Sequence, residues 1–282
     1  MNKKKRAFIA IGALIGGIAL YMIFDNIFFV STDNAQVDGN TALLTSRISG
    51  FVAKVNVEEG QSVKAGDILV EIDSKDYRSL THQSESEFGS VQARLHDAET
   101  NYKRIQNLYD QGAVSLQQRD SAYATFQELS KKVKGLEAQV QISQNGLNDT
   151  ALRAPSDGII AKKAAEVGML ANPGTPLIGF VSNEARVITA NFKETDLDRL
   201  KIGQKVSISV DAISGKTYHG KILRFNPSTG AVFSLLPPDN ATGNFTKIVQ
   251  RVPARISIED LTPEDIDLLK IGLSVEVSVR VH

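Results

Sequence analysis

Cysteine and tryptophan are both absent from this 282-residue chain. The first absence excludes disulfides, thiolate metal sites, a cysteine nucleophile and a lipid anchor on an N-terminal cysteine. No sign of charge is in excess: 32 lysines and arginines balance 32 aspartates and glutamates, so no net field steers the chain toward nucleic acid. Histidine is scarce, and His82, His96, His219 and His282 lie scattered, none with a second ligand at metal spacing. Neither a G-x-S-x-G elbow nor a phosphate-binding glycine loop occurs. Glu58, Glu59 and Glu166 read as solvated turn carboxylates. These absences name no catalytic residue, no metal site and no cofactor, so the chain is not expected to be an enzyme. Its apolar share is that of a globular protein with a packed core, and its length allows one large domain or two to three small ones.

The first informative segment is N-terminal. Lys3, Lys4, Lys5 and Arg6 precede an uncharged apolar run over residues 7–24. At about 1.5 Å per residue the run spans roughly 27 Å, close to the hydrocarbon thickness of a bilayer. Asp25 and Asn26 interrupt it, and residues 27–30 extend it toward the far interface. The basic cluster places the N-terminus in the cytoplasm and everything after residue 30 outside. A cleaved signal peptide has similar flanks, but no small-x-small site follows the run, which is also long for a signal core. A retained single-pass anchor over residues 1–30 is the favoured reading.

Two internal repeats organise the rest. Residues 49–73 and 157–181 match at a constant shift of 108, which maps Gly50 to Gly158, Lys54 to Lys162, Gly60 to Gly168, Gly66 to Gly174 and Leu69 to Leu177. Short runs rich in Val and Ile separate glycines where the chain must turn, the pattern of strands and tight turns. Neither half is long enough to bury a core alone, whereas two packed together are. The pattern resembles the two halves of a lipoyl or biotinyl carrier domain. In such carriers a tight hairpin presents a modified lysine; here residues 74–153 open that junction, and Lys54 and Lys162 sit in the wrong place.

The inserted segment has another period. Phe88, Val91, Leu95, Ala98, Tyr102, Ile105 and Tyr109 step by three and four, as do Ala122, Phe126, Leu129, Val133, Leu136, Val140, Ser143 and Leu147. Narrow a/d seams with polar residues elsewhere predict an antiparallel coiled-coil hairpin of two arms, each about 35 residues and roughly 50 Å long. Gly112 is the expected helix stop and Ser115 the expected N-cap of the returning arm.

From residue 184 onward alternation dominates, as in Val206, Ile208 and Val210 and again in Val275, Val277 and Val279. A shift of 69 maps Asp196 to Asp265, Leu200 to Leu269, Gly203 to Gly272 and Val206 to Val275. Two similar units, each a short helix or turn feeding a strand, predict a small closed β-barrel. The expected architecture is therefore multidomain α+β. After the anchor come a lead-in strand over residues 31–44 joining the barrel, a split lipoyl-like β-sandwich over 45–73 and 154–183, the coiled-coil α-hairpin over 74–153, and the β-barrel over 184–282.

A hairpin set into a split lipoyl-like domain behind a membrane anchor resembles the membrane fusion protein (HlyD-like periplasmic adaptor) family. Arg104, Leu108 and Ser115 fit the R-x3-L-x6-S pattern that these adaptors present at the hairpin tip to an outer-membrane channel. Residues 31–39, 191–204 and 233–256 closely resemble the EmrA-type branch of that family. The resemblance implies a periplasmic adaptor of multidrug efflux, bound to the inner membrane. Its implied partners are a major facilitator drug:proton antiporter, a TolC-like outer-membrane channel, and further copies of itself as a trimer or hexamer. An adaptor for an ATP-driven peptide or protein exporter is the alternative within the class, and a biotinyl or lipoyl carrier the alternative outside it. Phe233, Leu235 and Leu236 precede a proline pair and break the alternation. They read equally as a contact with transporter, membrane or neighbouring adaptor and as a plug of the barrel's end.

Overall fold

The structure, a computed structural model, describes residues 28–184, 186–229 and 249–281. The expected anchor helix and the stretch holding Phe233, Leu235 and Leu236 lie outside the described residues. Among the described residues no helix is long and apolar enough to cross a membrane. The chain forms two compact units, one over residues 41–182 and the other built from the residues flanking it on both sides.

The inner unit holds the sandwich and the hairpin. Its strands are β2 (Thr41–Thr45), β3 (Gly50–Val55), β4 (Ser62–Val63), β5 (Ile68–Ile72), β6 (Ala151–Arg153), β7 (Gly158–Lys163), β8 (Leu170–Ala171) and β9 (Pro176–Ser182). One sheet has the order β2-β9-β7-β4 and the other β6-β5-β3-β8. Each sheet therefore mixes strands from both repeats: β4 pairs with β7, and β3 pairs with β8. A single core follows, in which Val52, Leu69, Val70 and Ile72 from the first half pack with Ile160, Leu177, Ile178 and Phe180 from the second. Gly60, Gly66 and their counterparts Gly168 and Gly174 do turn the chain at positive φ. The pair Gly50 and Gly158 serves differently. Both lie in strands, and a Cβ on Gly158 would come within 2.4 Å of the Val181 carbonyl oxygen, so the residue is small because the neighbouring strand is close.

Two expected boundaries move. Residues 31–44 are not one lead-in strand to the barrel. β1 (Phe29–Asp38) is a barrel strand, the chain breaks at Gly39 and Asn40, and β2 crosses into the sandwich to pair with β9. Residues 151–153, expected in the insertion, are the sandwich strand β6, paired with β5. Where a carrier domain would make a tight turn after β5, helix α1 (Lys75–Asp110) begins.

α1 and the antiparallel α2 (Leu116–Asn148) form the hairpin, about 54 and 50 Å long at 1.5 Å per residue. Every predicted seam position is half-buried or buried on both arms. On α1 the seam runs about two turns further toward the sandwich than the apolar pattern, through small polar residues. Thr81, Ser84 and Ser143 are buried; the Ser84 and Ser143 hydroxyls are 2.9 Å apart, and the Thr81 hydroxyl donates to the Ser143 carbonyl at 3.3 Å. Small side chains let the arms meet closely, and each hydroxyl also donates to a carbonyl four residues back, so no polar group is stranded. The Tyr77 hydroxyl donates to the Ser49 carbonyl and Arg47 pairs with Asp149, fixing the helices' base on the sandwich.

The second unit is a closed six-stranded barrel. β1, β10 (Val187–Lys193), β13 (Arg251–Ile258), β12 (Thr217–Phe225), β11 (Lys205–Val210) and β14 (Ser274–Arg280) follow one another around it, all antiparallel. The alternating valines and isoleucines of the repeat point inward with Ile188, Phe192, Ile222 and Ile256. The short feeder elements expected before β11 and β14 are a 3-10 turn (Glu194–Arg199) and helix α3 (Pro263–Leu268).

Candidate functional site

The hairpin tip gathers the residues of the R-x3-L-x6-S pattern. α1 ends at Gly112, whose φ of 73° suits glycine. Gly112 N–H donates to the Tyr109 carbonyl and Ala113 N–H to the Leu108 carbonyl, a paired closure that satisfies the last carbonyls of the helix. Three residues after Gly112, Ser115 caps α2. Its Oγ accepts from Gln118 N–H at 3.3 Å, while Gln118 Oε1 accepts from Ser115 N–H at 3.0 Å, a reciprocal capping box. The loop between the arms is therefore short and held at both ends.

Arg104 and Leu108 are four residues apart and share one face of α1. Arg104 is exposed, and its guanidinium donates to Asn101 Oδ1 at 2.8 Å. Leu108 is half-buried and Ser115 exposed. The tip thus presents a cation, a partly covered leucine and a capping hydroxyl on a turn of fixed geometry.

Behind that face lies a set of contacts that the motif does not include. Arg119 occupies the seam position facing Tyr109, its guanidinium 5.3 Å from the ring centroid, a cation–π arrangement. Its Nε is 3.1 Å from Asp120 Oδ1, an ion-pair contact without hydrogen-bond alignment. About two turns further in, Tyr102 stacks on Phe126 with centroids 5.9 Å apart and leans on Tyr123 at 5.2 Å. Rigid rings and a planar cation close the seam where aliphatic knobs run out. The seam spacing identifies Tyr102, Tyr109 and Phe126. Arg119 went unseen because a cation at a seam position is counted as polar, although the spelling S-x-x-Q at residues 115–118 does announce the cap.

Among the described residues no group of three or more His, Asp or Glu could hold a metal ion. Glu59 accepts from the Lys163 N–H and Glu166 pairs with Lys163, so these carboxylates tie the sandwich's turns together. Among the described residues, one ionisable group is strongly displaced at the barrel's α3. There Asp265, buried, accepts from Lys216, from the Tyr218 hydroxyl at 3.0 Å and from the Thr262 hydroxyl at 2.7 Å. The Lys216 hydrogen bond foremost, with those from Thr262, holds its carboxyl well below the usual range. Asp265 is also the N3 residue of the α3 capping box, so this cluster anchors a short helix on the barrel.

Comparison with known proteins bears on this arrangement. Residues 40–181 match the family model described as the RND MFP barrel-sandwich hybrid domain. The chain is 34% identical to the colistin resistance protein EmrA of Acinetobacter baumannii, over 94% of this chain and 90% of that one. It is 31% identical to the multidrug export protein EmrA of Haemophilus influenzae, over 99% of this chain and 84% of that one. Among solved structures, the membrane fusion protein Spr0693 of Streptococcus pneumoniae R6 superposes with a TM-score of 0.63 at 16% identity, covering 90% of this chain and 99% of that one, a likeness of fold.

Proposed function

The chain belongs to the membrane fusion protein family, in its EmrA-type branch, and from that premise we propose that it is a periplasmic adaptor of multidrug efflux. In this reading it links an inner-membrane, proton-driven drug transporter of the major facilitator superfamily to a TolC-like outer-membrane channel. The observation that carries the proposal is the split sandwich. Two β-halves close over one core, so the helices threaded between them must leave as a pair and carry a capped tip about 50 Å away.

Each part then has a task. The apolar run over residues 7–24 is the retained anchor that holds the protein beside the transporter. Several copies, a trimer or hexamer, associate so that their hairpins enclose a conduit, because substrate released into the periplasm would otherwise diffuse back. Arg104, Leu108 and Ser115 meet the channel. A single tip contact need only be weak, since copies joined in one ring bind together and gain avidity. Phe233, Leu235 and Leu236 are assigned a contact with transporter, membrane or neighbouring adaptor. The family is one of adaptors rather than enzymes, and energy comes from the transporter.

Deleting the gene from cells lacking a redundant pump is expected to sensitise them to hydrophobic toxic compounds, with resistance restored by the full-length chain. The affinity-tagged protein should co-purify with a proton antiporter. Recovery of an ATPase in its place would assign the chain to an ATP-driven exporter, and unchanged sensitivity would remove the efflux role.

A further inference from the structure

The barrel repeat places the same turn at both ends of the barrel but finishes the two ends differently. β11 and β14 are antiparallel neighbours, so the turns that feed them, residues 200–204 and 269–273, lie at opposite ends. The two turns correspond in detail. Leu200 and Leu269 are both buried in the core; Gly203 N–H donates to the Ile222 carbonyl and Gly272 N–H to the Val37 carbonyl, each at 2.8 Å. Ile222 and Val37 are therefore counterparts. At one end Ile271 packs onto Gly39 so closely that a Cβ there would come within 2.9 Å of its Cδ1. At the other end β12 is bulged between Ile222 and Arg224, so the rung two beyond Ile222 holds Phe225, paired with Ala254, and not a glycine. Ile202, the counterpart of Ile271, is left 67% exposed, and Leu223 in the bulge 48%.

Among the described residues, the barer end is the one at which β1 begins. Phe29 pairs with Arg280, next to Val279, which pairs with Val206 at the start of β11. Among the described residues, Lys193, Lys201, Lys205, Arg224 and Arg251 are exposed around this end, with Glu194, Asp196 and Asp198 in the adjoining 3-10 turn and Asp33 and Glu276 beside Lys193 and Arg251. The opposite end carries Glu184, Asp260, Glu264 and Asp267 against Lys216 and Lys270. The apolar run reaches residue 24, and only four residues separate it from Phe29. Four extended residues span at most about 14 Å, so an anchored chain holds this end of the barrel at the bilayer surface.

We propose that this end rests on the membrane, with Ile202 and Leu223 entering the interface and Lys201, Lys205, Arg224 and Arg251 meeting anionic phospholipid headgroups. The proposal builds on the retained-anchor reading of the N-terminal run. Apolar residues ringed by cations are what an interfacial surface needs, because the first bury in the acyl boundary while the second find phosphate. The contact would set the barrel's orientation on the bilayer and leave the acidic end turned away from it.

The cysteine-free sequence makes the test clean, since Ile202→Cys or Lys270→Cys gives one labelling site. The full-length chain is reconstituted without any transporter in phosphatidylcholine vesicles, with or without phosphatidylglycerol, and with a quencher on the lipid headgroup. With phosphatidylglycerol, a fluorophore at position 202 should be quenched roughly threefold more than one at position 270. The excess should fall in high salt, without phosphatidylglycerol, and on adding Lys201→Glu with Lys205→Glu. Equal quenching at both positions, in protein that resists alkaline extraction, overturns the proposal and leaves the anchor standing. Quenching at position 202 that arises only when a transporter is co-reconstituted also overturns it, and reassigns the surface to that protein. Release of the chain by alkali would instead remove the anchor, and the membrane contact with it.

Discussion

Asp265 and Ser115 show how single residues of this protein can be tested apart from its function. Asp265 is buried and receives hydrogen bonds from Lys216, Tyr218 and Thr262, so its ionised form is favoured in the folded barrel. A carboxyl depressed on folding contributes its stability fully above its unfolded value of about 3.9 and loses it as the pH falls through and below that value. The melting temperature of Asp265→Asn should therefore lie below wild type at pH 7, and the gap should narrow as the pH drops from about 4.5 toward 2. Thermal unfolding across that range checks the sign; a constant gap would mean that Asp265 acts through packing alone. Ser115 is assigned both a cap and a channel contact, and the two separate cleanly. Ser115→Ala should cost about 1 kcal/mol of stability by losing the cap, whereas Ser115→Asp keeps it. If the hydroxyl also meets the channel, Ser115→Asp should melt like wild type and still fail to restore drug resistance. Resistance restored in full by Ser115→Asp would reduce Ser115 to a cap.

Among the elements, the hairpin and the repeats were the most legible in the sequence, because both rest on patterns longer than any one contact. The seam from Phe88 to Tyr109 and its partner on α2 have the spacing of a two-stranded coil, and each of those positions is covered. What escaped has physical reasons. β4, β6 and β8 hold two or three residues each, too few to show alternation. β2 follows β1 after only Gly39 and Asn40, so periodicity could not reveal that the chain changes unit there. Thr81 and Ser84 are polar and drop out of an apolar count, although their size is what lets the arms close at the base. Ser143→Leu should accordingly overpack that contact, at about 1–3 kcal/mol, and lower the melting temperature. An unchanged melting temperature would show that the arms are not in close contact there.

At the scale of the whole molecule, the account depends on β-segments 108 residues apart sharing one core. A chain in which residues 75–149 are replaced by a short turn should still close its sandwich, since β3 and β5 keep their partners β8 and β6. Such a protein is expected to fold, to remain bound to the membrane and to confer no resistance; aggregation would mean that the helices are needed to hold the halves together. The most direct test of the bridging role is photo-crosslinking in living cells from the tip. A photoreactive residue in place of Gln111, which is exposed beside the capped turn, should form an adduct with an outer-membrane channel protein, and the adduct should vanish with Arg104→Glu. Adducts only between copies of this chain, in cells that remain fully resistant, would contradict the account.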